Sequence, residues 1–228
     1  MNFETIDSLV RSRLTLLDQL EADGYNTTPF RKFSHKEIQE MIKSGPVNGS
    51  PPALSMLLTR REPEAATPED YAQCQVVYTI GRIKQKLEKF VDSIVDPEET
   101  GFDFKTTEVI ILTLEPVVLN FHQEATKRWR SNVDAATGKH MKIRFFQAAA
   151  IINNPLKHML VPPHEKVPGD KKADLLKGLY AKDRQLPYIR FHEDPVARML
   201  GLLPGDIVKI TRPSPTAGEC TVYRLCVP

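Results

Sequence analysis

The 228 residues are 41% apolar and 26% charged, a composition that supports one large or two modest folded domains and excludes a fibrous or low-complexity chain. A formal net charge of +2 excludes a histone-like, strongly basic nucleic-acid binder. Eighteen prolines against eleven glycines favour stiff turns over floppy ones.

Residues Glu4 to Asp23 place Ile6, Leu9, Val10, Leu14, Leu17 and Leu20 on one stripe ending at Gly24, the pattern of an amphipathic helix closed by a C′ glycine. Ser34 followed by Glu37 is a capping-box signature for a short helix carrying Ile38, Met41 and Ile42. Ser44 to Pro68 reads as loop, with Leu54 to Leu58 available for packing. Then come a β-rich run at Gln75 to Ile80, a helical pattern over Arg82 to Val95, and a buried-strand run at Glu108 to Leu114. A helix over Phe121 to Val133 and a strand over Met141 to Ile152 complete this part. That alternation is the grammar of a small parallel sheet with helices, an α/β unit.

From about residue 155 the pattern changes. A helix is expected over Lys171 to Tyr180. Asp194 to Gly201 specifies a brief helix at both ends: an N-cap aspartate, Pro195 at the first position and a C′ glycine. Leu203-Pro204-Gly205-Asp206 is a type II turn signal. Strand Ile207 to Thr211, turn Arg212 to Gly218 and strand Glu219 to Val227 make a β-hairpin, so this part is α+β. The expected domains are 1–154 and 155–228. Residues 156–228 hold 12 Lys and Arg against 8 Asp and Glu, net +4, leaving −2 for the rest.

Three cysteines form no disulfide framework. Cys220 and Cys226 lie about 20 Å apart along a strand, too far to bridge, and with Cys74 they read as small apolar fillers in a reducing compartment. Glu4 and Asp7 stand where a signal peptide would be basic and then apolar. No apolar stretch approaches the ~20 residues of a membrane span, so a soluble intracellular chain without membrane attachment is expected.

Nucleophile elbows, Walker loops and dinucleotide fingerprints are missing from the sequence. No catalytic residue, metal or cofactor is therefore expected. His158 and His164 flank a proline-bent segment and fit no metal-ligand spacing. Asp96, Glu98, Glu99 and Asp103, with Lys105 nearby, would suit a metal-dependent nuclease, against the alternative of a solvated turn around Pro97 and Gly101. The strongest basic stretch holds Lys127, Arg128, Arg130, Lys139, Lys142 and Arg144 around Trp129, against one acid, Asp134. Such a stretch can neutralise phosphates; the alternative is a solvated helix end anchored by Trp129.

An ordered series of blocks occupies the last seventy residues: His158-Met159-Leu160-Val161-Pro162-Pro163-His164, Gln185-Leu186-Pro187-Tyr188-Ile189, Asp194-Pro195-Val196-Ala197-Arg198, Gly201 to Ile210, Arg212 to Gly218, and Tyr223-Arg224. The series resembles the assembly domain of the fifth-largest subunit shared by eukaryotic nuclear RNA polymerases, and the short archaeal counterpart of that subunit. The resemblance implies an N-terminal jaw domain facing downstream duplex DNA and a C-terminal assembly domain docking on the largest polymerase subunit and its neighbours. It implies a non-catalytic nuclear subunit (nucleolar if dedicated to the ribosomal RNA polymerase) with no small-molecule substrate. The six basic residues of the Lys127–Arg144 stretch then become DNA-facing candidates for weak, non-specific contacts. His158, Pro162, His164, Gln185, Pro187, Asp194, Pro195, Arg198, Arg212, Tyr223 and Arg224 become subunit-interface candidates. The chain departs from the family at Glu219 and Cys220, where a basic and an aromatic residue are usual, and around Asn120 to Gln123. Competing classes are a nuclease-like α/β enzyme and an adaptor acting outside polymerase.

Overall fold

Helix α1 (Phe3–Ala22) opens the structure, a computed structural model that describes residues 3–43, 52–62 and 70–228. Its buried face is Ile6, Leu9, Val10, Leu16, Leu17 and Leu20. Leu14, expected on that stripe, is 42% exposed. Arg13 shares the inward face instead, its guanidinium donating to the Leu54 carbonyl at 2.9 Å and lying over the Phe33 and Tyr78 rings. A charged residue on the core face is invisible to an apolar stripe.

The helix stops as its glycine dictates. Gly24 has φ +92°, the Tyr25 amide donates to the Leu20 carbonyl at 2.9 Å, and the Gly24 amide donates to Glu21 at 3.1 Å. These paired bonds are the Schellman closure. A β-carbon at Gly24 would sit 3.2 Å from the Arg60 guanidinium. Gly24→Ala is therefore expected to cost about 1 kcal/mol, read as a lower urea midpoint at unchanged slope; an unchanged midpoint would contradict it.

Helix α2 (His35–Lys43) starts at the expected capping box: the Ser34 amide donates to the Glu37 carboxylate at 2.7 Å and the Glu37 amide to the Ser34 hydroxyl at 3.3 Å. The loop expected over Ser44 to Pro68 is partly a strand, β1 (Met56–Thr59), with Met56 and Leu58 buried and Leu57 exposed. Four alternating residues between proline-rich flanks gave too short a signal to read. Residues 44–51 and 63–68 of that expected loop lie outside the described residues.

β1 pairs antiparallel with β2 (Gln73–Thr79), which pairs in parallel with β3 (Thr107–Thr113), which pairs in parallel with β4 (Ile143–Gln147). Every residue of β3 is buried, the signature of a central parallel strand. Between strands run α3 (Leu87–Val95), the single turn α4 (Pro97–Thr100) and α5 (Leu119–Ser131).

Two elements are shorter than their patterns suggest. The helix expected from Arg82 begins only at Leu87, because the Glu115 carboxylate accepts the Ile83 and Lys84 amides, both at 3.2 Å, and holds that segment as a loop. The strand expected over Met141 to Ile152 ends at Gln147, after which Ala148–Ile151 form a 3-10 turn. The Ile152 carbonyl then accepts the Thr15 hydroxyl of α1 at 2.8 Å.

The chain divides into two compact units, Met1–Asn153 and Asn154–Pro228. In the second, the sheet order is β5 (His164–Lys166), β7 (Ile207–Ser214), β8 (Gly218–Val227) and β6 (Tyr188–Arg190). β5 and β8 lie antiparallel to β7, and β6 lies parallel to β8. The three-residue strands β5 and β6 had no periodic signal. The hairpin reaches further than expected, with Arg212, Pro213 and Ser214 still paired and the reversal confined to Pro215–Ala217.

Helix α6 (Gly169–Gly178) sits two residues earlier than expected and buries none of its side chains. Helix α7 (Pro195–Leu200) has the expected caps. The Asp194 carboxylate accepts the Val196 and Ala197 amides at 2.8 and 3.2 Å, and Gly201 takes φ +63°. The Leu203–Asp206 turn also forms, with Gly205 at φ +98°. Cys74 and Cys226 are buried fillers, and burial pushes the Cys226 thiol up to about 12. Cys220 is exposed, against expectation, because it lies on the hairpin arm beyond the reach of a third strand.

Candidate subunit interface and basic surfaces

The basic stretch is largely neutralised by acids distant in sequence. On α5, Lys127 pairs with Glu88 at 2.5 Å, and Arg128 holds Asp92 and Glu124, each at 2.6 Å. Lys139 donates to the Asp70 carbonyl at 2.7 Å over the Tyr71 ring. Trp129 stacks on His140, ring centres 4.7 Å apart, and its carbonyl meets His140 Nδ1 at 2.9 Å. Arg130 is exposed.

Lys142 and Arg144 turn inward, which corrects their place on an outward basic face. The alternation along β4 puts both on the sheet face that carries Glu108 of β3, because Ile110 pairs with Arg144 in register. Lys142 reaches Glu108 at 2.8 Å, Arg144 reaches it at 3.1 Å, and the Tyr25 hydroxyl donates to it at 2.9 Å. Glu108 is 2% exposed and Arg144 3%. Burial alone would raise the Glu108 carboxyl; Arg144 and Lys142 outweigh it and bring the group down to about 2. These ion pairs tie β3 to the start of β4 and take the Arg144 charge out of reach of a ligand.

Of the acids considered for a nuclease, Asp96 and Asp103 serve local turns. Asp96 accepts the Glu98 amide at 2.9 Å, Asp103 accepts the Lys105 amide at 3.0 Å, and Lys105 pairs with Asp134 at 3.0 Å. Among the described residues no group of three His, Cys, Asp or Glu could hold a metal ion, and no helix is long and apolar enough to cross a membrane.

The interface candidates in the second unit divide into scaffold and surface. Asp194 and Pro195 start α7, and burial pulls the neighbouring Arg198 guanidinium below its ordinary value against the attraction of Asp194. The Gln185 side chain accepts the Lys182 amide at 2.7 Å. The Pro187 carbonyl accepts the Leu225 amide at 2.9 Å, and Arg224 donates to the Tyr188 carbonyl at 3.5 Å. His164 Nδ1 donates to the Pro162 carbonyl at 2.5 Å, and His158 Nδ1 accepts the Leu160 amide at 3.2 Å. Tyr223 is half-buried on β8, and Arg212 is exposed on the hairpin arm.

The most exposed apolar residues of this unit were not among the candidates. Met159 is 92% exposed, Leu160 79%, Tyr180 97% and Tyr188 53%. Polar and proline positions dominate the motif blocks and mask Met159-Leu160, although both lie inside the first block. Met159 and Leu160 are neighbours in the chain and together leave two large apolar side chains in water, which makes them candidate contact positions.

Comparison with known proteins fits the second unit closely. The family model described as "RNA polymerase Rpb5, C-terminal domain" matches residues 153–226. The archaeal DNA-directed RNA polymerase subunit Rpo5 of Archaeoglobus fulgidus is 53% identical over 70 residues, covering 31% of this chain and 91% of that protein. The subunit RPABC1 of DNA-directed RNA polymerases I, II and III is 44% identical over 142 residues in Dictyostelium discoideum, covering 62% of this chain. In Caenorhabditis elegans it is 35% identical over 136 residues, covering 58% of this chain. Each of these matches spans 64% of the eukaryotic relative's length. Both are longer than the second unit, so they extend into the first. With nearly the whole length of an archaeal relative matched at more than half identity, the chain belongs to the Rpb5/Rpo5 family of DNA-directed RNA polymerase subunits.

Proposed function

We propose that this chain is a non-catalytic structural subunit of a DNA-directed RNA polymerase, with residues 155–228 as its assembly domain and residues 1–154 as a jaw-like domain. The observation that carries the reading is the second unit: it spans 91% of a free-standing archaeal polymerase subunit and leaves Met159, Leu160 and Tyr180 in water. Those side chains, with helix α6 and its lack of buried residues, form the surface that docks on the largest polymerase subunit. Capped α7, the proline turns and the hairpin hold the surrounding backbone in one conformation, so little ordering entropy is lost on docking.

Arg198, Arg212 and Arg224 are the polar anchors, suited to carboxylates or carbonyls of the partner through their guanidinium forks. The jaw-like domain lies beside downstream duplex DNA. With Arg144 buried, Lys142 held on Glu108, Lys127 and Arg128 tied to carboxylates and Lys139 to backbone carbonyls, any phosphate contact from the basic stretch rests first on the exposed Arg130. The likeness to eukaryotic polymerase subunits supports work in the nucleus; the nucleolus is the proposed location if the chain serves only the ribosomal RNA polymerase.

Affinity purification of the tagged full chain is expected to recover the largest polymerase subunits at stoichiometric amounts. Recovery of a soluble chain without them would overturn this reading in favour of an adaptor outside polymerase. The identity of the recovered largest subunit assigns the polymerase class.

A further inference from the structure

A cavity of about 390 Å3 opens in the first unit where the chain leaves β2 for α3. Arg82, Lys86 and Lys89 line it with exposed cations, Ile83 and Phe90 supply a nearly buried apolar floor, and Ser93 closes one side. No lining residue is acidic. Lys89, Phe90 and Ser93 lie on one face of α3, and Lys86 caps that helix at the same cavity. The site lies past the carboxyl end of β2, where open sheets with parallel strands commonly receive ligands.

The charge pattern sets this cavity apart from its surroundings. In the groove on the other side of α3, Lys84 and Lys127 face Glu88 and Glu124, and the Lys127–Glu88 pair closes at 2.5 Å. Arg82, Lys86 and Lys89 have no ion pair among the described residues. Like charges gathered around one cavity repel, and no ion pair among the described residues compensates them. An anion from outside would.

We infer that this cavity binds a phosphate-bearing organic ligand, its phosphoryl oxygens on Arg82, Lys86 and Lys89 and its organic body on Ile83 and Phe90. Three cations match the two or three negative charges of a phosphate monoester or diphosphate, whereas a single carboxylate would leave the site strongly positive. The Arg82 fork and the lysine point charges are the usual pair of phosphate binders. A concave site with an apolar floor also suits a small ligand better than the backbone of a duplex, which offers phosphates without an accompanying apolar body. The chemistry is shared by a free nucleotide and a phosphorylated side chain. It is independent of the polymerase reading above.

The test titrates the full chain by calorimetry with three probes: ADP, a short phosphoserine peptide, and a blunt duplex lacking terminal phosphates. Saturable one-site binding of ADP or of the phosphopeptide is expected, and the tighter of the two identifies the source. Lys86→Gln combined with Lys89→Gln should raise that Kd about tenfold or more, while Lys84→Gln in the adjacent groove should change it less than about twofold. These side chains are exposed, so the variants should keep the wild-type melting temperature, which checks that lost binding is not lost folding. Absence of saturable binding to both phosphate compounds overturns the inference. So does an unchanged Kd in the double variant, and so does a duplex that binds more tightly than either compound.

Discussion

Glu108→Ala is expected to destabilise the first unit by about 3–5 kcal/mol, because it leaves the buried Arg144 charge, with the half-buried Lys142 beside it, without their shared carboxylate. The lost interaction is not the main cost; the stranded cations are. Replacing the set together, as Glu108→Leu with Lys142→Met and Arg144→Met, should recover most of the loss, since well-packed apolar side chains need no charge partner. Urea unfolding of the three proteins at pH 7 checks both statements. An alanine variant as stable as the parent would refute the first.

The same carboxylate predicts an acid transition. Its folded-state value of about 2 lies below the ordinary 4.5, so its contribution is fully present above about pH 4.5 and is lost as the pH falls from there toward 2. The difference is worth about 3 kcal/mol, comparable to the expected cost of the alanine substitution. The alanine variant should lack this component, and its stability should fall less steeply between pH 5 and pH 3 than that of the parent.

Polymerase association should fail when Met159, Leu160 and Tyr180 are all replaced by aspartate. Apolar anchors buried at a protein interface contribute about 2 kcal/mol or more each where they act as hot spots. Loss of one such anchor alone weakens binding about 30-fold, and the triple variant should bind more weakly still. The three side chains are 92, 79 and 97% exposed, so the second unit should fold as before. Co-purification with the largest polymerase subunits, scored beside circular dichroism of the free chain, reads the two effects separately. Normal recovery of the polymerase with the triple variant would place the docking surface elsewhere.

How much of this could be read from the chain alone depended on how local the determining physics is. Helix ends were legible because capping is chemistry between neighbours: Ser34 with Glu37, Asp194 with Pro195, and the glycines at 24 and 201 each act within a few residues. The parallel strands were legible because a strand buried on both faces needs an unbroken apolar run, and β3 has one. Strands β5 and β6 were not, since three residues have no period and their pairing is decided by the hairpin beside them. The inward turn of Lys142 and Arg144 was illegible for a related reason. A basic residue reads as solvent-facing until its acid is found, and here the acid is 34 to 36 positions earlier on a neighbouring strand. The proposed subunit-contact positions of the second unit rest on resemblance, which favours motif residues. The exposed Tyr180 lies outside every motif block and was found only by its exposure.

The hairpin of the second unit has uneven support along its length. β5 pairs with residues 208–210 of β7, Thr211 still donates its amide to the Pro163 carbonyl, and β6 pairs with residues 225–227 of β8, whereas residues 212–214 and 218–220 pair only with each other. A two-stranded ribbon is marginal in water by itself, so opening should cost progressively less from the clamped base toward the tip. Pro213 and Pro215 limit what the opened tip can become. Their fixed φ keeps the separated strand extended, and an extended strand re-zips with little conformational search. The arm can therefore breathe at its end without unravelling at its root, and amide exchange should record that as a gradient in protection along a single pair of strands.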